Sequence, residues 1–452
     1  MYLNSFGLCI ARRRAVQAAM RNSATKFFSR PKTGAPGRPT GPDMGPPTQY
    51  HMAMIAHALE TLLHLIRIPS VNPLGREWLE PPFGEAGVTD YLAHFFRELG
   101  VPYQRVPVSP GRDNILARVE PTCADPARPV IVFDAHQDTV PVDGMTIDPW
   151  NPVVDHDRVY GRGACDVKGA MACMLTAFAR LAHERPHDMP ALIMACTVNE
   201  ENGFTGAQSL AQLWSTGNSA IVPHPPTQII VAEPTELNVV VTHKGVVRWR
   251  CHALGKAAHS ATPERGENAI YRMGRALGAF EQYAALLAQR TGDPRLGGPT
   301  MNVGTIHGGL CVNAVPDRCT IELDRRLLPD EDPTAAREEL LNWLAQHVPD
   351  ADRFQHDAPF LMSRGLNGRA NGELAQRLQQ VVQQQGQEAR CVGVPYGTNA
   401  PFLAGSTTPT VVFGPGSIAQ AHTVDEWISV EQMRIATEVY YAIGRGETLK
   451  HL

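Results

Sequence analysis

The sequence predicts an α/β protein: a mostly parallel sheet with helices on both faces, interrupted by an inserted ferredoxin-like α+β domain. Three observations predict it. Short uninterrupted apolar runs at 130–133, 191–198 and 229–232 alternate with helical periodicity, as strands buried on both faces do. These runs end in His or carboxylate residues, at the strand ends where open α/β sheets bind ligands. From 246 to 356 the rhythm changes to half-buried strands and long helices in β-α-β-β-α order, the order of a ferredoxin-like unit.

Each element follows in chain order. Ile55, Leu59, Leu62, Leu63 and Ile66 recur at helical spacing, and Pro69 stops that helix. A second helix runs over about 85–99 and ends at Gly100. Strands are expected at 114–119 and 130–133, a helix of small and apolar residues at 168–183, a strand at 191–198, a helix at 203–214 and a strand at 229–232. Within the insert come a strand at 246–251, a helix at 267–289, strands at 302–306 and 319–327, and a helix at 333–347. The α/β pattern then resumes with a helix from Glu373, strands at 390–394 and 410–413, and a helix from Val430. The expected organisation is a large domain in two parts, 51–245 and 357–452, around an insert at 246–356.

Residues 1–50 read differently. The first forty hold eight Lys/Arg and no acid, and a Pro/Gly-rich stretch follows. Such a segment cannot bury a core and is expected to lie outside the fold. It fits a disordered tail, an organelle transit peptide, or a start site at Met44, Met52 or Met54.

The whole chain has 452 residues, is 43% hydrophobic and 19% charged, and carries a formal charge of −4. That balance argues against a nucleic-acid or anionic-membrane surface, and no apolar run is long enough for a membrane span. Nine cysteines are scattered without a C-x-x-C pair, which fits reduced thiols in a cytoplasmic protein.

The chemistry gathers at five places. In HQDTV, His136 can bind a metal through one ring nitrogen while Asp138 takes the proton of the other or otherwise holds the ring. In YGRGACDVKG, three glycines surround Asp166, whose two oxygens can bridge two cations. The alternative is a plain helix cap. In NEENG, Glu200 and Glu201 stand together after an apolar strand, where adjacent carboxylates repel unless a metal is present. One can be a ligand while its neighbour acts as general base; a solvated acidic turn is the plainer reading. Glu233 and His422 follow two further strands. Two imidazoles and three carboxylates suit two zinc ions sharing one bridge.

With these motifs, and with AEPTE, GKAAHSATPERGENAI and GPGSIAQAHTVDEW, the chain resembles the dinuclear-zinc deacylases and exopeptidases. That family includes acetylornithine deacetylase, succinyl-diaminopimelate desuccinylase, aminoacylase and glutamate carboxypeptidase. The resemblance spans roughly 55–445 and leans to the acetylornithine deacetylase branch through EPTEL with HKG and through YGTNAPF; it implies that the two-part domain is catalytic and that the insert at 246–356 is a lid or dimerisation domain. It implies that His136 and Glu233 hold one zinc, that Glu201 and His422 hold the other, and that Asp166 bridges. Cobalt would substitute. It further implies Glu200 as general base, Asp138 as the residue orienting His136, and His259 as the group polarising the scissile carbonyl, in dimeric members across the subunit interface. Asn313, Arg326 and Thr398 would bind substrate. Ala135 stands where the family usually carries Gly. The implied activity is hydrolysis of an N-acyl amino acid, N2-acetyl-L-ornithine first, in arginine synthesis, by a cytoplasmic homodimer without nucleic-acid or membrane partners. Succinyl-diaminopimelate, another N-acyl amino acid or a dipeptide is the alternative substrate. A non-catalytic metal- or amino-acid-binding protein is the alternative of another class, which the presence of Glu200 disfavours.

Overall fold

The computed structural model describes residues 47–75, 81–123, 128–405 and 407–446. The basic stretch at 1–46 lies outside the described residues.

The central sheet has eight strands in the order Tyr103–Ser109, Arg112–Val119, Ala191–Thr197, Val130–His136, Gln228–Val231, Thr410–Val412, Val239–His243, Cys391–Val394. Val130–His136 is parallel to both of its neighbours. The pairs of Thr410–Val412 with Gln228–Val231 and of Cys391–Val394 with Val239–His243 are also parallel. The opening hairpin, its joint to Ala191–Thr197 and one bridge at Val412 are antiparallel.

Both faces of the sheet are covered. Ile131, Phe133, Leu192, Met194 and Ile230 pack into one core with helices Pro47–Ile66, Ala86–Glu98, Lys168–Glu184, Gly372–Gln384 and Val430–Arg445. Val130, Val132, Ile193 and Ile229 turn the other way, onto Thr205–Thr216 and Ala400–Ala404. Every residue of Val130–His136 and Ala191–Thr197 is therefore buried, which is why these strands read as unbroken apolar runs.

The second sheet is antiparallel, in the order Thr300–Gly308, Arg318–Leu327, Gly245–Leu254, Phe354–His356, with Leu361–Ser363 also pairing to Gly245–Leu254. Helices Ala269–Ala288 and Pro333–His347 cover one face through Trp249, Phe280, Tyr283, Ile321 and Leu340. Asn268 and Asp332 cap these helices through side-chain oxygens that accept from Tyr271 N and from Thr334 and Ala335 N. This is the ferredoxin-like order expected of the insert. A two-stranded ribbon, Ala258–His259 with Ala314–Val315, projects from it.

Nine of the strands among the described residues were not expected, and those of the larger domain show why. Tyr103–Ser109 contains Pro107, which an edge strand tolerates. Val239–His243 runs almost directly into Gly245–Leu254, where the expected strand began only at 246. Val153–Asp155 and Arg158–Tyr160 form a small sheet with Trp427–Ser429, and three-residue strands are too short for periodicity to show.

Candidate active site

The carboxyl ends of three central strands meet in one place. His136 is the last residue of its strand, paired with Thr197 at the end of the next. Two residues beyond Thr197 the chain turns at Asn199, in the left-handed region with φ 61°, and presents Glu200 and Glu201. Glu233 follows Gln228–Val231. Asp166 arrives from the loop ahead of helix Lys168–Glu184. That loop needs its glycines: Gly163 has φ +81°, and a Cβ on Gly169 would stand 2.3 Å from the Ala164 carbonyl oxygen. His422, φ 62°, reaches in from the segment after Thr410–Val412.

Donor atoms of His136, Glu200 and Glu233 all lie within 4.8 Å of one another, as do those of His136, Asp166 and Glu201. Asp166 lies between the two imidazoles. Its Oδ1 is 3.0 Å from His136 Nε2 and its Oδ2 is 3.3 Å from His422 Nε2, one oxygen toward each side. His422 Nε2 is also 3.2 Å from Glu201 Oε2. The five residues expected to hold metal thus come together. Glu200 joins them at ligand distance, so proximity alone does not separate base from ligand.

The electrostatics of the cluster are those of a cation site. Burial, then the neighbouring carboxylates, push Glu200 and Glu233 well above the usual carboxylate range. Burial and Asp166 push Glu201 up to about 7, against the His422 bond. His422 is raised to about 10 by its bonds to Asp166 and Glu201. Burial alone would lower the His136 ring, yet the Asp166 bond and the surrounding carboxylates hold it well above its ordinary value. A buried set of this kind is costly without a compensating positive charge. A divalent ion supplies that charge, and imidazole plus carboxylate is a fitting donor set for zinc-like ions. The residues present therefore fit a metal.

Other expected residues stand as follows. His136 Nδ1 is 2.9 Å from the main-chain oxygen of Asp138 and 3.7 Å from its Oδ1. The main-chain carbonyl is thus the closer partner of the ring, and the Asp138 carboxylate is engaged elsewhere. Its Oδ1 accepts from Glu200 N at 3.1 Å, and its Oδ2 accepts from Glu201 N at 3.1 Å and Asn72 Nδ2 at 2.7 Å. Asp134 turns away from the cluster and accepts from Thr197 and Asn399. His259 is exposed on the ribbon of the insert, and Asn313 is exposed beside it. Neither shares a hydrogen bond or ion pair with the cluster. The Arg326 guanidinium is held by Asp324 at 2.7 and 3.2 Å. Thr398 is fully buried; its hydroxyl contacts His243 Nε2 at 3.1 Å and accepts from Ala400 N at 3.1 Å.

Sequence reasoning missed Glu426. This buried carboxylate accepts from Cys165 N and Asp166 N through Oε1, and from Gly163 N and Arg162 Nη1 through Oε2. It thereby ties the Asp166 loop to the segment carrying His422. Its only sequence signal was an acid four residues after His422.

The model of peptidase family M20/M25/M40 matches residues 132–445. The chain belongs to this family. It is a metal-dependent amidohydrolase, in keeping with the ligand cluster. An acetylornithine deacetylase of Myxococcus xanthus is 32% identical over 309 residues, 68% of this chain and 77% of its own length. One of Pasteurella multocida is 31% identical over 389 residues, 84% of this chain and 95% of its own. Among solved structures, the M20 family metallo-carboxypeptidase Sso-CP2 of Sulfolobus solfataricus shares the fold with a TM-score of 0.69 at 17% identity, covering 86% of this chain and 98% of that one. The Bacillus subtilis YXEP protein, described as a dinuclear metal binding peptidase from the M20 family, superposes with a TM-score of 0.61 at 14% identity, covering 89% and 100%. No helix among the described residues is long and apolar enough to cross a membrane.

Proposed function

We propose that the chain deacylates an N-acyl amino acid, N2-acetyl-L-ornithine first, to L-ornithine and acetate. The observation that carries the reading is the buried pair Glu200–Glu201 set against His136, Asp166, Glu233 and His422. The substrate choice is supported by the relatives named acetylornithine deacetylase at 31–32% identity. His136 and Glu233 would hold one ion, Glu201 and His422 a second, with Asp166 between them; zinc is the ion proposed, with cobalt as its substitute. When bound, such ions polarise a carbonyl and lower the pKa of water toward ~7. Glu200, not needed as a ligand in this scheme, takes the proton of the attacking water and returns it to the leaving amine. His259 donates a hydrogen bond to the developing oxyanion. It does so only if the insert closes or a second copy supplies it, since here it stands exposed on its ribbon.

The same proposal includes a homodimer formed through the insert, supported by exposed Ile306, Leu310 and Val312. It also includes a cytoplasmic setting, supported by the free state of buried Cys165, Cys173, Cys196, Cys251 and Cys319. The test is a panel assay on purified zinc- and cobalt-loaded protein with N2-acetyl-L-ornithine, N-succinyl-diaminopimelate, N-acetyl-methionine and simple dipeptides. N2-acetyl-L-ornithine should show the highest kcat/KM. A higher value for any other compound overturns the substrate assignment.

A further inference from the structure

The Asp138 carboxylate does not face solvent. It is fully buried, and its oxygens accept from the backbone N–H groups of Glu200 and Glu201 and from the side chain of Asn72. Asn72 lies before the stretch matched by the family model, on the segment after the first helix. Its Nδ2 also donates to Asn199 Oδ1 at 3.0 Å, and its Oδ1 accepts from Leu74 N. Asn199 Oδ1 takes a second donor, Arg112 Nη1, at 2.9 Å. Arg112 is paired through two nitrogens with Glu85, and Glu85 Oε1 accepts from Asn199 N. The circuit closes around the turn that carries the two carboxylates. Asn72, Glu85, Arg112, Asp138 and Asn199 are all buried, so each bond acts in a low-dielectric setting.

We propose that Asn72, braced by the Glu85–Arg112–Asn199 circuit, is a positioning residue that sets the Glu200–Glu201 turn through the Asp138 carboxylate. This rests on the reading of Glu200 as proton carrier. The physical reason is that a carboxylate with four acceptor directions can be held in one rotamer only if its donors are themselves held. Two of those donors are the backbone amides of the turn. Without Asn72 the carboxylate keeps only the two amides of the turn itself, and the turn loses its link to the circuit outside it. Misplacing a reacting group by about 1 Å costs on the order of 10²-fold in rate.

The experiment compares wild type, Asn72→Ala, Asn72→Ser and Glu200→Gln, each loaded with cobalt and assayed on N2-acetyl-L-ornithine. Ser retains an oxygen for Leu74 N but is too short to reach Asp138, so it serves if the Ala variant does not fold. The expected result for the Asn72 variants is a fall of kcat by about 10- to 100-fold, with KM within about twofold and bound cobalt unchanged. The visible absorption bands of cobalt should also shift, because Glu201 rides on the same turn. A kcat within about twofold of wild type overturns the proposal. So does a fall in kcat matched by equal loss of bound cobalt, which would make Asn72 merely structural. Should Glu200→Gln keep full turnover, the parent reading fails instead, whatever the Asn72 variants do.

Discussion

The carboxyl edge of the central sheet and the open face of the insert sheet use the same residue types to opposite ends. On the insert, Arg250 meets Glu322 at 3.0 Å and Arg248 meets Asp324 at 2.7 Å, across neighbouring strands and partly in solvent. Such pairs are worth about 0–1 kcal/mol each. At the central edge, Asp166, Glu200, Glu201 and Glu233 are packed together out of water with His136, and the half-exposed His422 closes the group from its open side. There, each like charge raises the cost of its neighbour, and the arrangement is stable only toward an added cation. Exposed charges decorate a sheet that is held by its other, apolar face. Buried charges form a site that the rest of the fold must hold in place.

The sharpest way to break this contrast is to remove the cation. Chelator treatment should abolish hydrolysis and lower the melting temperature, and stoichiometric zinc should restore both. A metal at 100 times its Kd adds about 2.7 kcal/mol of stability. Full activity in demonstrably metal-free protein would sink the assignment.

Next in size is Glu200→Gln. Proton transfer by a placed side chain contributes about 10²–10⁴-fold, so kcat should fall by at least 10²-fold while bound metal stays constant. Glu201→Gln should instead weaken metal binding, read by calorimetry. If both variants behaved alike, the division of labour between the neighbours would be wrong.

His259→Ala then tests whether the insert contributes to the chemistry at all. Loss of a single oxyanion donor costs about 10²–10³-fold in kcat, and metal content should not change. Metal loss in step with activity would place His259 in a different role.

A pH measurement sharpens the other half of the comparison. His356, in the insert, is held down to about 4 by burial and then by the Arg337 charge. Trp249 Nε1 donates to its Nδ1 at 3.3 Å, which only an unprotonated nitrogen can accept. The unfolded chain takes a proton near the ordinary value of 6.5, and the folded chain does so only near 4. Stability contributed by this ring is therefore complete above about 6.5, falls as the pH drops from there to about 4, and is flat below. After discounting for partial exposure the drop is about 1–3 kcal/mol. Urea unfolding at both ends of that window should show a smaller pH dependence for His356→Asn than for wild type.

The smallest effect is expected at the exposed pair. Glu322→Ala should change unfolding free energy by less than about 1 kcal/mol and leave kcat alone. A larger loss would mean that the open face is covered in solution.

Much of this was legible in the chain itself. Runs such as 191–198 declared their strands because both faces of a covered sheet demand apolar side chains. Pro333–His347 could be placed to the residue because Asp332 caps it and Pro333 opens it. The metal-binding residue types at the strand ends were legible for a related reason: His and carboxylates placed after buried strands are conspicuous against the apolar background. Tyr103–Ser109 and the three short strands of the small sheet, Val153–Asp155, Arg158–Tyr160 and Trp427–Ser429, were not legible. Pro107 breaks the pattern of the first, the hairpin of Val153–Asp155 with Arg158–Tyr160 is too short to show a period, and Trp427–Ser429 is set by a partner far away in sequence.

What the sequence determined by itself is local: where strands run, where helices start, and which side chains could bind a cation. Those properties depend on periodicity, capping and residue type within a few positions. What only the tertiary structure decided is which donors meet and what holds them. Asp166 takes its place between His136 and His422 because Glu426, from the His422 segment, gathers the N–H groups of the Asp166 loop. Asp138 turns from the imidazole to the Glu200–Glu201 backbone because Asn72, from the far side of the sheet's first hairpin in sequence, donates to it. Such contacts join segments that no pattern along the chain relates. Hydrogen bonds to a buried carboxylate depend on donors converging in space, and convergence is a property of the packed fold.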